Sequence, residues 1–310
     1  MNIQPIDGAC YHAAYGFMHH LQGELSEVYR TDGDLLTVLG TLRQAYWTRN
    51  IWQKPFIAEF DSISQAARIL KDVQRNWVAY PLRLARRSML IQDALPAISA
   101  KPRQFPFSVP TAPMGAFTLL DEHRLLASAD CSSPWPLGRL DFLEDKEGPP
   151  SRAYRKLWEA LLMHQHLLGS DLPASGSVCL DAGAAPGGWT WALANLGAQV
   201  SAIDRADLDA SVAAMPGVRC LRGNAFALKP EETGPVDWLC SDVICYPQAL
   251  YDWVSLWLES GLAANAVCTI KMQGREWDKN VTESFAAIPG SKVLHLWHNK
   301  HELTWLYRRP

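Results

Sequence analysis

The stretch CLDAGAAPGGWT, Cys179 to Thr190, sets Gly183, Ala184, Ala185, Pro186, Gly187, Gly188 and Trp189 behind a short apolar run that ends in Asp181. So bare a backbone tolerates unusual φ/ψ values and lets a ligand approach the main chain closely. Asp204 closes a second apolar run about 20 residues further on, where a carboxylate can accept both hydroxyls of a ribose. The pattern is not GxGxxG, and no phosphate-loop lysine follows the glycines. The chemistry it suits is the binding of a nucleoside rather than of a dinucleotide or a triphosphate. Two charges close later apolar runs: Asp242 after WLCS and Lys271 after VCTI. A lysine is a costly choice at the end of a core strand unless it faces a polar cleft.

These residues must be positioned by alternating strands and helices. Tyr154, Leu157, Trp158, Leu161 and Leu162 recur at helical spacing, which predicts a helix over 152–168, with Ser151 available as its cap. Strands are predicted at 177–181, 199–204, 218–221, 236–242 and 266–272. Helices are predicted at 188–196, 208–215, 247–260 and 275–287. Runs 292–298 and 303–308 are too close for a crossover helix and should form an antiparallel hairpin. Alternation of this kind implies a parallel sheet covered on both faces. Asp181, Asp242 and Lys271 then all end strands on one side of it, the side where open parallel sheets bind ligands.

DKEGPPS, residues 145–151, reads as a linker. It divides the chain into an N-terminal α+β domain, 1–148, and a C-terminal α/β domain, 149–310. The N-terminal half suggests a helix through His20, Glu24 and Val28, a strand at 57–60, a helix at 64–72, a strand at 77–84 and a hairpin at 117–129. Its topology is not legible.

The chain has 310 residues, 48% apolar and 20% charged, the make-up of a soluble globular protein. No apolar run is long enough to cross a membrane, and MNIQPIDGAC lacks the basic start and apolar stretch of a secretory signal. Seven cysteines without a CxxC pair suggest reduced thiols and a cytoplasmic setting. None of the nine histidines sits in a metal-binding pattern, so no metal is expected. A net charge of −3 leaves nucleic-acid contact to local basic patches.

DAGAAPGGWT resembles the cofactor loop D-x-G-x-x-P-G-G-[WF] of the FtsJ/RrmJ-type ribose 2′-O-methyltransferases. LRGNAFALKP, WLCSDV, TIKMQG and HELTWLYRR fall in that family's order and spacing through most of the C-terminal half. The resemblance implies a Rossmann-like class I methyltransferase sheet with an antiparallel C-terminal hairpin. It also implies S-adenosylmethionine as cofactor, S-adenosylhomocysteine as product, and RNA, ribosomal RNA in particular, as partner of a monomeric chain. Asp181, residues 183–189, Asp204 and Asp242 would line the cofactor site, with Trp189 buttressing the loop. Where the family usually has an aspartate near the adenine, Asn224 stands here, an amide that can both donate and accept. The family's Lys-Asp-Lys-Glu tetrad maps to Lys156, Asp242, Lys271 and Glu302. An alcohol is a poor nucleophile and needs a base; Lys271 is assigned that role, with the other three orienting it and the hydroxyl.

Two other readings compete. A cytosine-C5 methyltransferase would use Cys245, three residues after Asp242, but DVIC lacks the proline of the usual D-A-P-C. A catalytically idle RNA-binding or ribosome-assembly protein would not need the tetrad. The N-terminal half, by the same resemblance, would be a degenerate THUMP-like RNA-binding module. Arg83, Arg86, Arg87, Lys101 and Arg103 would supply charge for phosphates. Trp47, Trp52 and Trp77 are better explained by core packing than by base stacking.

Overall fold

In the computed structural model, residues 3–310 are described, and they fall into two compact units. The first holds Met1–Arg103 and Ser108–Asp141; the second holds Gln104–Phe107 and Phe142–Pro310. The division thus falls at Asp141/Phe142, ahead of the expected linker. The reason is aromatic: Phe105 stacks on Trp158 at 4.8 Å, and Phe142 meets the same ring edge-on at 5.4 Å.

The first unit runs β1 (Ile3–Pro5), β2 (Gly8–Ala13), α1 (Met18–Glu24), β3 (Val28–Asp32), β4 (Leu35–Leu39), β5 (Thr48–Trp52), β6 (Pro55–Glu59), α2 (Ile63–Val73), β7 (Trp77–Ala79), α3 (Ala85–Asp93), β8 (Gly115–Leu119) and β9 (Arg124–Ser128). It contains a sheet ordered β1-β6-β9-β8-β7 and a second ordered β3-β4-β2-β5. Ser62 caps α2, its hydroxyl accepting from Gln65 N at 3.2 Å. Val28 lies on β3 rather than on the expected helix, because α1 ends at Glu24, whose carboxylate accepts from Tyr46 N and Trp47 N. The expected strand from Trp77 stops at Ala79; Pro81 cannot donate to a ladder, and α3 follows. Trp47, Trp52 and Trp77 are fully buried, so none offers a face to a base.

The second unit runs α4 (Tyr154–Leu168), β10 (Val178–Ala182), α5 (Gly188–Asn195), β11 (Gln199–Asp204), α6 (Ala210–Ala213), β12 (Val218–Arg222), α7 (Pro230–Thr233), β13 (Val236–Ser241), α8 (Pro247–Ser260), β14 (Ala263–Lys271), α9 (Lys279–Ala287), β15 (Ser291–Leu294) and β16 (Glu302–Arg308). Its sheet is ordered β12-β11-β10-β13-β14-β16-β15. All pairs are parallel up to β14, whereas β16 runs antiparallel to both β14 and β15. This is a Rossmann-like α/β sheet closed by an antiparallel hairpin. Its central strands β10, β13 and β14 are mostly buried, largely apolar runs, as a sheet covered on both faces requires, whereas the edge strand β12 is largely exposed. The chain leaves β10 toward β11 and β12 on one side and returns to β13 and β14 on the other. The carboxyl ends of β10 and β13 are therefore the topological switch point.

Several elements are shorter than their sequence signals. The α6 helix keeps only one turn of 208–215, and α9 begins at Lys279 because Asp278 caps it. The strand expected over 292–298 ends at Leu294, where the chain bends into a turn held by Asn299. Ser151 is not the cap of α4; its hydroxyl accepts from Ala153 N at 3.4 Å, one position ahead of the helix.

Candidate active site

A cleft of about 590 Å³ opens at the switch point, lined by the glycine loop and by the ends of β11, β12, β13 and β14. The loop is held in shape by its own backbone: Gly183 N and Ala184 N both donate to Ile203 O. Gly183 has φ +80°, and a Cβ there would lie 2.7 Å from Val243 Cβ. Gly187 has φ +117°, and its Cβ would meet Val212 at 3.0 Å. These glycines thus let the loop pack against the walls of the cleft, which is what keeps the cleft open. Trp189 is buried beside it and donates from Nε1 to Ala153 O at 3.0 Å, tying the loop to the start of α4.

The acids expected around the cleft are all on its lining. Asp204 turns Oδ2 to Ala185 N at 3.0 Å and Oδ1 to Ala206 N at 2.9 Å, which fixes the carboxylate at the end of β11. Asp181 is fully buried and accepts from Thr190 Oγ1 at 2.6 Å; burial pushes its carboxyl up to about 7. Asn224 uses Oδ1 to accept from Phe226 N at 3.3 Å. Its amide NH₂ remains for the cleft, a donor where an aspartate would present only acceptors. A Gly-rich loop, a fixed carboxylate one strand over and a polar amide beyond it fit a nucleoside cofactor.

Lys156, Asp242, Lys271 and Glu302 meet at one edge of this cleft. Lys156, from the first turns of α4, lies with Nζ 2.8 Å from Asp242 Oδ1 and 2.7 Å from Glu302 Oε1. Lys271, the last residue of β14, lies 3.1 Å from the same Asp242 Oδ1 and donates to Asp242 O at 2.6 Å. Lys271 and Glu302 face each other in the β14–β16 register. Burial is the largest influence on Lys156 and would lower it, but Asp242 and Glu302 together hold it above the ordinary lysine value. Burial would likewise raise Asp242, yet Lys156 and then Lys271 keep it below the usual carboxylate range. Lys156 and Asp242 are therefore held in their charged forms.

Other residues of the site gave no signal in the sequence reading. Glu159, one turn after Lys156 on α4, accepts from Trp297 N at 2.8 Å and His298 N at 3.0 Å, and its Oε2 lies 2.7 Å from His298 Nδ1. Asn299 accepts from Leu296 N and Thr304 Oγ1, and its Nδ2 donates to Glu302 Oε1 at 3.4 Å. Together they shape the turn that delivers Glu302. The clue was Lys156 and Glu159 three apart within the buried stretch of α4, where each charge needs a partner. Arg205 and Phe226 also line the cleft, and Phe226 stacks on Trp253 at 5.0 Å. Cys245 lines it too, but burial pushes its thiol up to about 11, away from a reactive thiolate. All seven cysteines are free, and no metal-holding group of acids, histidines or cysteines occurs among the described residues. No helix among them is long and apolar enough to cross a membrane.

Residues 149–259 match the family described as FtsJ-like methyltransferase. The match lies wholly within the second unit. The Ribosomal RNA large subunit methyltransferase M of Halorhodospira halophila is 34% identical over 193 residues, covering 61% of this chain and 56% of that protein. Its namesake from Alkalilimnicola ehrlichii is 35% identical over 194 residues, covering 60% and 52%. The chain spans about half the length of the curated relatives it matches. Among solved structures, fibrillarin from Aeropyrum pernix, with S-adenosyl-L-methionine bound, aligns at a TM-score of 0.35 and 16% identity, covering 64% of this chain and 85% of that one. The sheet order itself, not that alignment, places the second unit among the Rossmann-like folds. The matched range contains the glycine loop, Lys156, Asp204 and Asp242; Lys271 and Glu302 lie beyond it.

Proposed function

We propose that this chain is an S-adenosylmethionine-dependent RNA methyltransferase that modifies a ribose 2′-hydroxyl, with ribosomal RNA in the cytoplasm as its substrate. The observation that carries this reading is the convergence of Lys156, Asp242, Lys271 and Glu302 beside the glycine-loop cleft. The FtsJ-like match and the name shared by the curated relatives support the methyl donor and the class of RNA.

Residues 183–189, Asp204 and Asn224 would hold the cofactor, with Asp181 and Asp242 at the floor of its site. S-adenosylmethionine supplies an electrophilic methyl group when bound. The protein must supply the base. Lys156, locked between two carboxylates, stays an ammonium and offsets their charge. Lys271 already points two N–H bonds at Asp242, one at the main-chain oxygen and one at Oδ1. A neutral amine held in that way has its lone pair left over, and the proton of the 2′-hydroxyl passes to Nζ. Glu302 fixes Lys156, and Asp242 aims Lys271; neither need touch the substrate. A cytosine-C5 route would need a Cys245 thiolate, which its buried setting opposes.

The first unit we assign to RNA binding, as a THUMP-like module. Arg86 and Lys101 are exposed there, and Arg83 lies only 3.8 Å from Asp32. Mass-spectrometric mapping of ribose methylation in total RNA, from cells with and without the protein, tests the proposal. A 2′-O-methyl group that disappears with the protein supports it; an unchanged map, or a methyl lost from a base instead, contradicts it.

A further inference from the structure

The loop from Asp242 to α8 separates the cleft from a second hollow of about 480 Å³, lined among others by Tyr246, Gln273, Trp277 and Lys279. The loop after Lys271 forms the other wall, and Gln273 Nε2 donates to Cys245 O at 3.2 Å, joining the two loops. Both walls belong to loops that begin at a tetrad residue, Asp242 and Lys271.

Ile244 is 80% and Tyr246 72% exposed; among the described residues of the second unit they are the most open large apolar side chains. Tyr246 also occupies the N-cap of α8 without making a side-chain cap bond. Ser, Thr, Asp or Asn would serve the helix better there. Neither the core nor the helix accounts for the ring. The charges nearby are largely spent within the protein: Asp278 caps α9, and Lys279 lies 3.8 Å from Glu283. The hollow sets the rings of Tyr246 and Trp277 among polar neighbours that include the acids Glu276 and Asp278, a lining that suits an aromatic base better than a phosphate.

We infer that Tyr246, with Ile244 beside it, is the platform on which an unpaired base of the RNA substrate stacks next to the ribose to be methylated. This rests on the RNA reading above, and it assigns a nucleotide subsite to the second unit. Stacking of a base on an aromatic ring is sequence-tolerant, and because the ring neutralises no phosphate its removal leaves the salt slope of binding unchanged.

The test is fluorescence anisotropy with a short labelled single-stranded RNA at low and high salt. Tyr246→Ala should weaken binding about tenfold, by the same factor at both salt concentrations, with its melting temperature and S-adenosylmethionine affinity unchanged. Tyr246→Phe should bind like the parent. Equal binding by parent and Tyr246→Ala overturns the platform, as does a loss that vanishes at high salt or a parent that binds no such RNA. The measurement does not involve methyl transfer. A protein that binds RNA through Tyr246 yet leaves no methyl on ribose would overturn the catalytic proposal and keep the platform.

Discussion

Lys271 reaches Asp242 twice, donating to its main-chain oxygen at 2.6 Å and lying 3.1 Å from its carboxylate. Asp242 is one residue past β13, and Lys271 ends the neighbouring β14, so the sheet itself brings them together. Because backbone and side chain of one residue hold the amine, the lysine's direction is set at the point where the loop leaves β13. That favours a role in which direction matters, such as accepting a proton along a defined line.

Removing Lys156 should damage the fold as well as activity. Lys156→Met leaves Asp242 and Glu302 buried near each other with half their compensation gone. A loss of about 3–5 kcal/mol is expected for a broken buried pair, read by chemical denaturation. The double variant Lys156→Met with Glu302→Gln should recover part of it. A single variant as stable as the parent would show that the ion pairs are dispensable.

Asp181 should make stability depend on pH in an unusual direction. Its carboxyl is raised from 3.8 to about 7, so the native state keeps a proton that the unfolded chain loses within that window. Stability from this group is full below the unfolded value and falls as pH rises, by about 1.4 kcal/mol per unit, until it levels off above the folded value. His164 and His295, lowered by burial to about 4, act oppositely below 6.5. The difference between parent and Asp181→Asn isolates the effect. It should grow in the variant's favour up to about pH 7; parallel curves would contradict it.

Gly183→Ala should destabilise the glycine loop by about 2–4 kcal/mol, combining left-handed backbone strain with a Cβ forced against Val243. Gly223→Ala, whose Cβ would lie 3.8 Å from Ile203, should be nearly neutral. Thermal unfolding of both variants decides; equal melting temperatures would mean that the loop yields.

Much of the second unit was legible because its signals are physical and local. The bounds of β11 and α8 follow directly from an apolar run and from Pro247 and Gly261 flanking a periodic segment. The first unit was not, since its strands give weak alternation. From Ala9 to Ala13, β2 is buried at every position, so no period-two pattern marks it, and Val28 looked helical only because His20 and Glu24 precede it at helical spacing. In the site, residues that end strands could be placed from sequence. Glu159 and Asn299 could not, because their role depends on a turn formed about 140 residues after α4 begins, a contact that no local pattern encodes.

Cys245→Ser should leave methyl transfer within about twofold of the parent, since an in-line displacement needs no covalent bond to the enzyme. Loss of transfer in that variant, with the fold intact, would favour a cysteine-dependent attack on a base.

The central claim is tested most directly by following a labelled methyl group from S-adenosylmethionine into ribosomal RNA with purified parent and Lys271→Ala proteins, then locating the methyl by nucleoside mass spectrometry. The account predicts a 2′-O-methyl nucleoside from the parent, resistant to alkaline cleavage. In Lys271→Ala it predicts a rate lower by on the order of 100-fold or more, with S-adenosylmethionine affinity retained. A methyl group found on a base, or a Lys271→Ala protein that transfers as fast as the parent, would contradict it.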